Sequence, residues 1–193
     1  MSSNLLRQIC CHFAPPLKRD VSQTIQSPRE AQPTYIADDH MYHGAALIQI
    51  AEHEQFTAIN ALTLNKRPVS SWFKINNHIA VGFKYAREGK EPYGEYVFTF
   101  KSGHLQTIRA IAGVHDRIIM ALVCVEAREI CAITEGDLTA MIEERQNSAG
   151  GIEDQYTLLV TAEKGKSLRA YMNKAGTKGK SLKKRVIARK AFP

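Results

Sequence analysis

Residues Ile118 to Val125 read IIMALVCV and are apolar on both alternating faces. Strand side chains alternate between the two faces of a sheet, so a run of this kind needs a covering layer above and below it. It is too short to cross a membrane, which takes about 20 apolar residues in a helix. The run is therefore expected to be a buried strand at the centre of a sheet. Its neighbours supply the cover. Glu129 to Ile133 (EICAI) returns beside it after a tight turn at Ala127-Arg128. Ser102 can cap a helix in which Leu105, Ile108, Ile111 and Ala112 recur at helical spacing. Thr134 with Asp137 three residues on forms a capping box for another helix, whose faces are defined by Leu138, Met141, Ile142 and Arg145 and whose end is Asn147 to Gly151. The fold class is α/β, of the α+β kind.

Upstream, Ala46, Leu47, Ile50 and Ala51 share one side of a helix over 43–54. Ser71 to Asn76 (SWFKIN) is aromatic and β-prone. In His78 to Ala86, Ile79, Val81, Phe83 and Tyr85 face one way, with Ala80, Gly82 and Lys84 opposite. Asn76-Asn77 predicts a hairpin turn between these strands, since Asn tolerates positive φ. Glu95 to Phe100 (EYVFTF) alternates again. The expectation is a mixed sheet built in the order helix, three antiparallel strands, helix, strand, followed by strands at Tyr156 to Thr161 and Leu168 to Met172. Pro15, Pro16, Pro28 and Pro33 break up the first residues, so 1–39 reads as a flexible leader in which Leu5 to Phe13 is a potential docking peptide. Residues 40–173 read as the globular domain, and the 44% hydrophobic content is enough to give it a core. No signal peptide is evident, the Cys spacing is not that of a disulfide framework, and a cytoplasmic protein without membrane contact is expected.

Charge separates the remaining residues, 174–193, from the domain. The formal net charge is +7. From Lys164 onward there are 11 basic residues and no acid, which leaves 15 basic and 19 acidic side chains before it, a net of −4. Flexible cationic segments bind phosphate polymers by releasing counterions. The nucleic-acid-binding candidates are Lys174, Lys178, Lys180, Lys183, Lys184, Arg185, Arg189 and Lys190, with DNA or RNA as partner. Two alternatives remain open. The cations can pair with the acidic body of the same protein, or the domain is a module that binds a protein partner or itself while its basic segment is incidental.

Other residues suggest chemistry with less support. Asp38, Asp39, His40 and His43 resemble a transition-metal set, but HxxH falls short of the i, i+4 spacing of a helical zinc site, and two acids at a helix start complement its dipole. If Ala127-Arg128 is a two-residue turn, Cys124 lies opposite Cys131, as a redox pair or as a nucleophile with His104 or His115 as base; core packing is the simpler reading. Gly176, Gly179 and Lys180 miss the spacing of a phosphate loop. No metal, cofactor or catalytic residue is expected.

The element order over about 43–125 resembles the core of the PD-(D/E)xK nuclease-like fold. That resemblance implies an acid on the second strand and acid-x-Lys on the third, holding a divalent metal that activates water. In this chain Gly82 stands two residues before Lys84, and Val97 two after Glu95, so the catalytic motif is missing; Glu52 and Glu54 remain as helix carboxylates. The runs YHGAALIQIAEHEQFTAIN, INNHIAVGFKYA, EYVFTF, MALVCVEAREICAI and ARKAFP are together similar to a set of bacterial proteins, a likeness that implies no activity. The expectation is a non-enzymatic or catalytically degenerate nucleic-acid-associated domain, with a metal-dependent nuclease of irregular site as a further alternative.

Overall fold

The computed structural model describes residues 35–177 and 179–189. The leader reading falls outside the described residues as far as Thr34, as do Lys178 and Lys190. The elements run α1 (Asp38–Ala51), β1 (Ile59–Leu64), β2 (Arg67–Ile75), β3 (Ile79–Ala86), β4 (Glu95–Lys101), α2 (Ser102–Ala112), β5 (Arg117–Cys124), β6 (Glu129–Thr134), α3 (Glu135–Ala149), β7 (Gln155–Thr161), β8 (Leu168–Met172) and β9 (Arg185–Ile187). They form an α+β fold with a five-stranded sheet, β1-β2-β3-β5-β6, and a four-stranded sheet, β4-β7-β8-β9. Among the described residues no helix is long and apolar enough to cross a membrane.

The apolar run of β5 sits between β3 and β6, parallel to the first and antiparallel to the second. One face of this sheet packs under α1, where Ala46 and Ile50 meet Val81, Phe83, Ile119 and Ala121. The other face packs against the second sheet together with α2 and α3, and Leu122, Phe98, Phe100, Ile111, Met141 and Leu158 are central there. Burying each such side chain is worth about 1.5–3 kcal/mol, so a Leu122→Ala truncation, which also leaves a cavity, costs about 2–5 kcal/mol.

Local chemistry accounts for most element ends. The Thr134 hydroxyl accepts from the Asp137 N–H at 3.1 Å and donates to its carboxylate at 2.8 Å, capping α3, and Gly150 closes it at φ 76°. Asn76 and Asn77 adopt φ 50° and 65° in the β2–β3 turn. α1 starts at Asp38, five residues earlier than periodicity suggests, because its first turn gains Asp38 and Asp39 at the positive end of the dipole. For α2 the cap position is Lys101, and Ser102 is the first helical residue.

The three consecutive antiparallel strands need correction. The meander is β1-β2-β3, and β4 belongs to the other sheet. The edge of β3 that β4 would occupy is taken by β5, in register from Ile79↔Arg117 to Ala86↔Cys124. β5 can be buried on both faces there, whereas β4 buries only Tyr96, Phe98 and Phe100. The Cys124–Cys131 pairing is also corrected. Val125 to Arg128 form a four-residue turn with Arg128 at φ 54°, so Cys124 pairs with Glu129 and Cys131 with Leu122.

Candidate functional site

The C-terminal basic residues divide into two groups. After β8 the chain forms a loop closed by the Asn173↔Ser181 bridge, in which the Lys174 N–H donates to the Lys180 carbonyl at 2.7 Å. Gly176 and Gly179 turn this loop with φ of 65° and 75°. Lys174, Lys180, Lys183 and Lys184 are exposed, and among the described residues none has a carboxylate within ion-pair distance. The Lys184 ammonium lies 4.3 Å from the ring centre of Tyr171, a cation–π contact rather than an ion pair.

The two arginines are held by the fold. β9 pairs with β8, and its Arg185 reaches α3, donating at 3.2 Å to both Asp137 and Glu144. Arg189 pairs with Glu129 and donates to the carbonyls of Lys166 at 2.7 Å and Glu163 at 2.6 Å. Here the cations do complement acids of the same domain.

A second chemically loaded place escaped the sequence, a cavity of about 350 Å³ between β2, β3, β4 and α2. β2 builds it. Ala61↔Phe73 and Thr63↔Pro68 are both paired, so two steps along β1 face five along β2, and Val69 to Trp72 form a bulge against β1 while Trp72 stays paired with Gly82 of β3. Ser71 in this bulge holds φ 61°, a left-handed value for a non-glycine residue. Trp72 folds back over Gly82, where an added Cβ would fall 2.6 Å from the indole. Trp72, Phe100 and Ile108 give the cavity an apolar floor, and Ser70, Ser71, Lys84, His104 and Thr107 bring polar atoms to it.

Lys84 is half-buried, its ammonium 5.4 Å from the centre of the Phe100 ring, with no acidic partner among the described residues. Burial, then Lys101, lower its pKa from the usual lysine value. His104 is exposed at the edge of the cavity, and its Nδ1 accepts from the Lys101 N–H at 3.2 Å. Desolvation, then Lys84 and Lys101, lower its pKa, while the Thr99 carbonyl opposes the shift. The visible signal was Lys84 itself, a lysine on a strand otherwise apolar; the bulge that faces it leaves no local signature.

The remaining candidates are dispersed. His43 turns into the core against Phe83 and Tyr85 with its Nε2 unpartnered, while His40 stays in solvent. Asp38 pairs with Arg87. Glu95 accepts from the Tyr171 hydroxyl, and Glu52 and Glu54 are exposed beyond α1. Among the described residues no group of three His, Cys, Asp or Glu side chains is placed to hold a metal. Cys124 and Cys131 are free and fully buried. Burial pushes the Cys131 thiol up to about 12 and the Cys124 thiol higher still, which suits packing and disfavours a nucleophile. No protein-family model matches the chain, and neither the curated proteins nor the solved structures gave a match.

Proposed function

We propose that this is a non-enzymatic, nucleic-acid-associated domain of the cytoplasm that grips the phosphate backbone through Lys174, Lys180, Lys183 and Lys184. The observation that carries the reading is that these four cations are exposed and, among the described residues, have no carboxylate in ion-pair contact, while Arg185 and Arg189 beside them are spent on Asp137, Glu144 and Glu129. Flexible ammonium groups act as point charges on phosphate and read no sequence. Binding should therefore be indifferent to sequence and steeply dependent on salt. Four phosphate contacts on a duplex predict a fall in affinity of roughly 150-fold between about 50 and 200 mM salt.

The test is fluorescence anisotropy of a labelled DNA duplex and an RNA hairpin with the full chain, beside a variant with all four lysines changed to Gln. Salt-sensitive binding that the variant loses supports the proposal. Absence of binding by the full chain at low salt overturns it and turns attention to a protein partner. Cleavage in the presence of Mg²⁺ would contradict the non-enzymatic part.

A further inference from the structure

We infer that the cavity between the β2 bulge and α2 is a binding site for a small anion carrying a flat ring, of the size of a nucleoside monophosphate. None of its lining residues lies beyond Met120, so the inference is independent of the basic C-terminal segment. Three features converge on it. The first is charge. Burial and then Lys101 lower the pKa of Lys84, burial and then Lys84 and Lys101 lower that of His104, and among the described residues no carboxylate lines the cavity. A half-buried ammonium without a counter-charge is destabilising, and an anion placed beside it removes that cost.

The second feature is shape. The floor is aromatic and aliphatic, formed by the Trp72 indole, Ile108 and the Phe100 ring that the Lys84 ammonium faces. The volume of about 350 Å³ is at the low end of the roughly 300–1,000 Å³ spanned by ligand pockets, which fits one ring with its substituents and excludes a large cofactor. The hydroxyls of Ser70 and Ser71 line the cavity, and that of Thr107, which donates to the Gly103 carbonyl at 3.0 Å, keeps its lone pairs to accept from a ligand.

The third is backbone geometry. β2 departs from its ladder by three residues and holds Ser71 in the left-handed region at the cavity wall. Bulges re-aim side chains beside binding sites, and strain of this kind persists where the surroundings enforce it.

Trp72 is the single tryptophan of the chain, so its fluorescence reports on the cavity directly. AMP and UMP are titrated into the full chain, with adenosine and inorganic phosphate as partial ligands and equilibrium dialysis of labelled AMP as a second readout. The expected result is a saturable change in Trp72 emission with the monophosphates, weaker binding of each partial ligand, and a loss of about 10- to 100-fold in affinity in Lys84→Met, the range of one charge-assisted hydrogen bond. Thr107→Val, a subtler change in the same wall, should weaken binding less while keeping the fold. No saturable response to either monophosphate in both readouts overturns the inference. So does retention of full affinity in Lys84→Met with unaltered circular dichroism, and inorganic phosphate binding as tightly as AMP would remove the ring from it.

Discussion

Arg185→Met should destabilise the domain without weakening its hold on nucleic acid. The Arg185 side chain is 22% exposed and donates to Asp137 and Glu144, which are 36% and 34% exposed. Stranding a carboxylate in a dry interior costs about 3–5 kcal/mol. These two acids keep a third of their surface in water and can rehydrate, and contacts of 3.2 Å are long for charge-assisted bonds. Asp137 also retains the Thr134 hydroxyl. The expected loss is therefore about 1–2 kcal/mol, with methionine keeping much of the aliphatic packing. For a domain of this size that lowers the thermal midpoint by roughly 2–8 °C. Lys183→Met, at an exposed position, should change stability by less than about 0.5 kcal/mol. Thermal and urea unfolding followed by circular dichroism compare the two variants. An unchanged midpoint in Arg185→Met together with weakened nucleic-acid binding would refute the division of the basic residues into structural and free sets.

Three further outcomes follow from the packing. Gly82→Ala places a Cβ against the Trp72 indole and should cost about 1–3 kcal/mol, with a red shift in tryptophan emission as the ring is expelled; unchanged emission and stability would show that the ring is not seated on Gly82. Burial first, and Lys84 and His40 after it, hold the His43 pKa below its usual value against the opposing pull of Asp39. Below about pH 6.5 the unfolded chain takes up a proton that the folded chain refuses, so stability present above that pH is lost as it falls; urea unfolding from pH 7 to 5 should show a decline that is smaller in His43→Phe. In a background of Cys10→Ser and Cys11→Ser, a thiol reagent should react with Cys124 and Cys131 only on addition of denaturant, and rapid native-state reaction would contradict their burial.

Local signals sufficed where the physics was local. The Thr134–Asp137 cap, the Asn76-Asn77 turn and the two-faced apolar run of β5 each announce themselves within a few residues. The strands β7 and β8 also lie where alternation placed them. β1 was missed because INALTL is short and buries only Leu62 fully. Sheet membership of β4 depends on which strand takes the edge of β3, a long-range competition that no window of sequence contains. For the same reason the hidden cavity was not legible: its wall is a bulge defined by unequal spacing of paired residues on β1 and β2. Charge asymmetry was legible, but the division of labour within it was not, since Arg185 and Arg189 find their acids 41 to 60 residues away in sequence.

The central claim is that four exposed lysines carry the contact with phosphate, and the slope of log affinity against log salt counts such contacts directly. Each contributes about 0.9 to the slope on duplex DNA. The proposed function predicts that changing Lys174, Lys180, Lys183 and Lys184 to Gln flattens the slope by about 3.6, while Arg185→Gln with Arg189→Gln leaves it unchanged at temperatures where the protein remains folded. Equal slopes for the full chain and the lysine variant, or a flattening produced by the arginine pair instead, would contradict it.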